Sequence, residues 1–314
     1  MNAILYHDSD LDGKLSNAVC RHFLKGSETH SYGWDYGRPI PIPLSGDWAA
    51  YTNIFIVDLS VDPLMELAAL RNKIVWIDHH QSAIEKWDST PYDADPNPEW
   101  FPGFRLDGVA ACRLCWQWFI SNDTRYQEKQ EFIERTVAEP LILTLCGEHD
   151  IWDHHDCRTW PVHFALNAMD DSSLAIYAEK HLSGLYSDDE FEWNALIDRG
   201  NAIQAYVANQ AALYAAAHAH TIIWHSMRFC AINGPKGSQT AESAVRPEHD
   251  AIFCWRYDGK VAQVSLYQVP GKDIDLSVIA KAHGGGGHKG ACGFRLSLLQ
   301  LANLLSTMAD SNQV

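Results

Sequence analysis

The sequence predicts an α/β protein: a domain on a parallel sheet, then a long linking helix, then a smaller α+β domain with a mixed sheet. Three observations predict it. Short apolar runs at Ala3–Tyr6, in NIFIVDLS and at Ile74–Ile77 read as buried strands, and each leads into acids or histidines. An alanine-rich stretch from Asp188 to Ala217 reads as one helix, with Gly200 marking a bend. Beyond it TIIWHSMRFCAIN, AIFCWRY and KVAQVSLYQ have strand character, the last two joined by the hairpin signal Asp258-Gly259. The boundaries follow as 1–187, 188–217 and 218–314, and 314 residues suit two cores better than one.

The most telling strand end is Ile74–Ile77, which empties into Asp78-His79-His80. In open α/β sheets, chemistry collects at the carboxyl ends of strands. Ala3–Tyr6 likewise empties into His7, Asp10, Asp12 and Gly13, where alternation along an extended segment lets Asp10 and Asp12 point one way and Gly13 turns the chain into a helix. A helix N-cap accounts for one such acid, but poorly for Asp8, Asp10 and Asp12 with a histidine. NIFIVDLS carries Asp58 toward its carboxyl end, and Asp62-Pro63 then opens a helix. An amphipathic, then apolar, helical stretch from Arg125 finishes at Glu148-His149-Asp150, of which Asp150 is the candidate ligand. A second Asp-His-His, Asp153–His155, has no strand before it and reads as a solvated loop or as support for a ligand.

The remaining segments are plainer. SYGWDYGRPIPIP, within Thr29–Pro43, reads as a surface loop at the edge of the site, and residues 88–103 as a long loop rich in proline and acid. Arg105–Ile120 has a helical, aromatic pattern whose Trp and Cys positions suit packing. DLSVIAKAH is a short helix, and Ser297 caps a last helix through Met308.

His7-x-x-Asp10-x-Asp12-Gly13, Asp58, Asp78-His79-His80 and Asp150, in that order, resemble the four motifs of the DHH phosphoesterase superfamily. His283-Gly-Gly-Gly-Gly-His288-Lys289-Gly-Ala-Cys-Gly-Phe294 resembles the GGGH signature of the domain that accompanies it. The resemblance spans residues 7–294. It implies a catalytic site with two divalent ions, one held by His7, Asp10 and Asp58 and the other by Asp12, Asp58, His79 and Asp150, with Asp78 orienting its neighbour and His80 facing substrate phosphate. Oxygen donors with few imidazoles suit manganese or magnesium, and the imidazoles tilt the choice to Mn²⁺. Two such ions activate water for in-line displacement at phosphorus. The resemblance also implies that the second domain closes over the metal rim, with Gly285, Gly286 and Gly287 approaching a phosphate through their backbone and His288 and Lys289 adding charge. One departure stands out: many relatives carry an arginine where this chain has Tyr267, which is able to stack on a base.

Composition narrows the partners. With 40 acids against 24 bases and no basic stripe, long duplex nucleic acid is not expected, and a short oligonucleotide or nucleotide is. No apolar run is long enough for a bilayer and no signal pattern follows Met1, so a cytoplasmic protein without a membrane partner is expected. The eight cysteines lack zinc-ligand spacing beyond Cys112-x-x-Cys115 and read as reduced thiols, Cys292 included. Oligomeric state is open, a homodimer among the options. The function these readings support is an Mn²⁺-dependent phosphodiesterase of exonuclease type that trims short oligonucleotides or dinucleotides, with nucleoside 3′,5′-bisphosphates as further substrates. The alternatives are a pyrophosphatase or exopolyphosphatase, which would normally lack the glycine signature, and a non-catalytic nucleotide-binding protein, which would be missing ligands.

Overall fold

The structure is a computed structural model that describes residues 1–41, 47–61, 70, 72–89, 101–122, 138–184, 190–234 and 239–310. The chain divides into two compact units, Met1–Gln204 and Ala205–Val314, and the cut falls inside one long helix.

The first unit contains β1 (Asn2–His7), α1 (Leu11–Phe23), β2 (Thr29–Trp34), β3 (Asn53–Val57), β4 (Ile74–Ile77), α2 (Gln81–Ser89), α3 (Ala111–Asn122), α4 (Leu141–Asp150), α5 (Thr159–Asn167) and α6 (Asp171–Leu182), and ends within α7 (Glu190–His218). Its strands are all parallel, in the order β2-β1-β3-β4. Side chains alternate between two cores, as a doubly covered sheet requires. Ala3, Leu5, Ile54, Ile56, Ile74 and Trp76 face a core rich in Trp with Trp34, Trp48, Trp87 and Phe101. Ile4, Phe55, Val57 and Ile77 face the other, with residues of α1, α3, α4, α5 and α6.

The chain after α1 does not loop over the surface as its turn-rich sequence suggested. Thr29–Trp34 is the strand β2, paired in register with all of β1. The expected helix from Asp62, residues 125–137 of the amphipathic stretch, residues 90–100 of the long loop and the start of the linking helix at Asp188 lie outside the described residues.

Gly200 does not interrupt the helix, because α7 continues through it. A Cβ there would stand 1.8 Å from the Pro161 carbonyl oxygen of α5, so the glycine serves close packing. Gly200→Ala, which stabilises an open helix, is here expected to cost about 3 kcal/mol or more. A melting temperature lower by about 6–12 °C is the expected reading.

The second unit runs from the end of α7 through β5 (His220–Trp224), β6 (Met227–Asn233), α8 (Gln239–Glu242), β7 (Ala251–Tyr257), β8 (Ala262–Gln268), α9 (Ser277–Ala282), β9 (Gly286–His288), β10 (Ala291–Leu296), α10 (Leu298–Thr307) and β11 (Ala309–Asp310). The sheet order is β11-β5-β6-β7-β8-β10-β9, mixed because β6 and β7 are parallel. TIIWHSMRFCAIN is two strands, since His225 and Ser226 both take positive φ and form a tight turn. Ser297 and Gln300 close a capping box at α10. All eight cysteines are free thiols and all but Cys157 are buried. No helix among the described residues is long and apolar enough to cross a membrane.

Candidate metal centre

The parallel register brings the carboxyl ends of β1, β3 and β4 to one rim, and α4 ends on Asp150. Asp10 and Asp12 do not share a face of an extended segment, because α1 already begins at Leu11. Asp10 is its N-cap, accepting the Gly13 N–H at 3.0 Å, and Asp12 lies buried in the first turn. Gly13 is part of the helix rather than a turn into it. A Cβ there would stand 2.0 Å from the His7 carbonyl oxygen, so glycine lets α1 start directly against the end of β1. Asp58 takes φ +58°, a left-handed conformation that aspartate tolerates better than most residues.

The side chains form two groups of possible ligands, His7–Asp10–Asp58 and Asp12–His79–Asp150, and a third, Asp58–His79–His80, overlaps both. In the first, His7 Nδ1 is 2.8 Å from Asp10 Oδ2 and 3.4 Å from Asp58 Oδ2. In the second, His79 Nε2 is 3.6 Å from Asp12 Oδ2 and 3.3 Å from Asp150 Oδ2, and it also reaches Asp58 Oδ1 at 3.3 Å. Asp58 therefore turns one oxygen to each group. The third group brings His80, expected to face only substrate, within reach of Asp58 as well.

The donor set fits divalent ions. Adjacent donors on one octahedral ion at about 2.1 Å stand about 3 Å apart, close to the spacings seen. Both Asp58 oxygens are buried, yet neither accepts a hydrogen bond of good geometry. Buried carboxylates left so are costly unless a charge meets them.

Electrostatics say the same. Burial raises the Asp12 carboxyl well above its usual range, with the charges of Asp58 and Asp150 adding to it. Burial likewise pushes Asp150 up to about 7, helped by Asp58 and Asp10 and opposed by His79. Burial opposes a charge on His7, but Asp10 and Asp58 outweigh it and lift its pKa to about 11. His79 is raised in the same way against burial by Asp58 and Asp12. Asp58 is held low, despite its burial, by His7 and His79. Protons thus supply the positive charge that four carboxylates demand.

Asp78 is buried, and its Oδ1 accepts the backbone N–H groups of His79 (2.8 Å) and His80 (3.3 Å) and meets His80 Nδ1 at 2.7 Å. It fixes the loop and the ring of His80. Asp12 also serves the scaffold. Its oxygens accept the N–H groups of Ala111 and Cys112, both at 2.7 Å, at the start of α3.

Two further residues reach the rim through β2. Asp35 Oδ1 stands 3.4 Å from His7 Nε2. The Tyr36 ring lies 6.1 Å from that of His7, and its hydroxyl accepts the Ser60 N–H. Burial pushes the Tyr36 hydroxyl up to about 12, so it stays protonated. Reading residues 29–34 as a strand would have placed both at a strand end.

In the second unit the glycine run passes from a turn at Gly284 into a strand. Gly286–His288 form β9, the edge strand beside β10. A Cβ at Gly285 would stand 2.0 Å from the Gly293 carbonyl oxygen, and Gly287 has φ +122° with Cys292 Cα 2.7 Å from its missing Cβ, so sheet packing demands both. Gly286 faces open space. Lys289 Nζ meets Asp273 at 2.5 Å on the surface. Tyr267 is buried with Cys230, Ile252 and Val269 in a hydrophobic cluster and is not presented to a base.

No protein-family model and no curated protein matches the sequence. Solved structures do. An uncharacterized protein from Helicobacter pylori G27 is 17% identical, with 94% of this chain and 93% of that chain covered and a TM-score of 0.41. A pGpG-specific phosphodiesterase from Vibrio cholerae is 9% identical, with 97% and 96% covered and a TM-score of 0.45. RecJ from Thermus thermophilus, solved in complex with Mn²⁺, is 15% identical with a TM-score of 0.51, and this chain covers about half of it (51%). Over 97% of its length, then, this chain has the fold of RecJ from Thermus thermophilus.

Proposed function

We propose that the chain is a metal-dependent phosphoesterase of the DHH type that hydrolyses phosphodiester bonds of short oligonucleotides or dinucleotides. The observation that carries this is the pair of ligand groups that share Asp58 at the ends of three parallel strands. His7, Asp10 and Asp58 would hold one ion, and Asp12, Asp58, His79 and Asp150 the other. Imidazole in both groups favours Mn²⁺ over Mg²⁺, and RecJ was solved with each of the two ions. When bound, the ions supply Lewis-acid charge and lower the pKa of the attacking water.

The residues do the rest. His80 is one-third exposed at the rim, with Nδ1 tied to Asp78 and Nε2 at the other end of the ring. Burial opposes its protonation, and Asp78 more than restores it. A protonated His80 binds a phosphate oxygen and hands its Nε2 proton to the leaving oxygen. Asp78 sets the ring for that transfer.

The outer edge of β9 offers backbone N–H groups to a substrate phosphate, with His288 and Lys289 beside it. Of Gly285, Gly286 and Gly287, Gly286 alone has open space where a Cβ would stand. Gly286→Ala is therefore expected to fold normally and raise KM for a dinucleotide about 10-fold, the loss of one charged hydrogen bond. Gly285→Ala is expected instead to lower the melting temperature, and equal effects of the two on KM alone would contradict this division.

The test of function is direct. Purified protein with Mn²⁺ is offered labelled dinucleotides, longer single strands, cyclic dinucleotides, a nucleoside 3′,5′-bisphosphate and pyrophosphate. Release of mononucleotides from the short strands is the expected result. Phosphate release from pyrophosphate alone would replace this reading with that of a phosphoanhydride hydrolase.

A further inference from the structure

A nucleotide substrate needs something to hold its base, and the buried Tyr267 does not offer it. We propose that Trp152 is the platform on which a base of the substrate stacks; this rests on the phosphodiesterase reading above and names its specificity element.

Position comes first. α4 ends on Asp150, and Trp152 follows two residues later, its Cα within about 7 Å of that of Asp150. A base bonded through its sugar to a phosphate at the cluster falls in this range.

Exposure comes second. Trp34, Trp48, Trp76, Trp87 and Trp193 are buried, whereas Trp152 is 51% exposed. Its backbone takes φ +57°, a left-handed conformation unfavourable for a bulky residue. Such strain persists where surrounding structure holds it, and it clusters at ligand sites.

Support comes third. The indole lies against His154 (5.3 Å between ring centroids), Trp160 (6.1 Å, edge-on) and His149 (6.5 Å). His149 is in turn stacked on His163 at 3.3 Å and edge-on to Trp160 at 4.7 Å. Buried Nε2 atoms of His149 and His154 accept and donate no hydrogen bond, so both rings act here as packing surfaces. The indole is flanked by these rings and is still half exposed.

The second Asp-His-His thereby gains a role. His155 Nε2 meets Asp153 at 2.6 Å, and His154 packs under the indole, while none of the three joins a ligand group among the described residues. The triplet shapes the platform.

Stacking is sequence-tolerant, because every base has a flat π face, and it contributes about 5- to 150-fold per base. Trp152→Ala is expected to raise KM for a dinucleotide by that factor with kcat changed little, whereas an abasic dinucleotide analogue loses far less. Trp152→Phe is expected to recover most of the affinity. Melting temperatures of both variants report folding. Equal losses on the two substrates, or an unchanged KM for the dinucleotide, overturn the inference and leave the phosphodiesterase reading intact. A wild-type protein that cuts neither substrate overturns that reading, and the inference with it.

Discussion

Asp58→Asn is expected to lower phosphodiester hydrolysis by on the order of 10³-fold or more, a loss as large as that of a principal electrostatic group at an active site. Asparagine has the same shape and tolerates the left-handed backbone at φ +58°, so folding is expected to survive the change. What is lost is the one carboxylate that faces both His7 and His79. Single-turnover assays with saturating Mn²⁺ measure the effect, beside a melting curve of each protein. A variant with wild-type turnover would sink the shared-ligand mechanism.

Metal loading is expected to release at least two protons and to tighten steeply as pH rises. His7, with a pKa lifted to about 11, and His79, also raised, carry protons that the ions replace. The sign for the metal-free protein follows by linkage. A histidine raised from its ordinary 6.5 to about 11 gives stability that is complete below pH 6.5 and is lost as pH climbs to 11. Asp150, raised to about 7, works in the same direction, because its buried carboxyl must ionise as pH rises from 4 to 7. Chelated protein is thus expected to melt at falling temperature from pH 6.5 upward, while the stabilisation by Mn²⁺ grows. Calorimetric titration in buffers of different ionisation enthalpy counts the protons. Binding enthalpies that do not depend on buffer would rule the picture out.

The parts legible in the sequence are those where burial and chemistry meet abruptly. β1, β3 and β4 are short apolar runs that stop at His7, Asp58 and Asp78, and buried parallel strands have no other way to read. β2 was not legible. Its THSYGW is polar and aromatic at the sheet edge, so neither an apolar run nor strict alternation marks it, and Asp35 and Tyr36 were missed with it. The turn at His225-Ser226 escaped for a related reason, as it takes positive φ without the Asn or Gly that usually announces it. Gly200 and Gly285 show a third limit. A glycine kept for close approach looks in sequence like one kept for flexibility, and only the neighbour, Pro161 or Gly293, tells them apart. Trp152 carries no signal in the sequence, and only its exposure and backbone set it apart.

The carboxylate of Asp12 answers to two masters. It anchors the opening amides of α3 and also leans toward His79, so scaffold and chemistry are spliced at a single side chain. Any exchange at that position would blur a broken helix start with a broken reaction. Asp58 and His79 are the cleaner places to interrogate catalysis, because a change at Asp12 also reaches the first turn of α3.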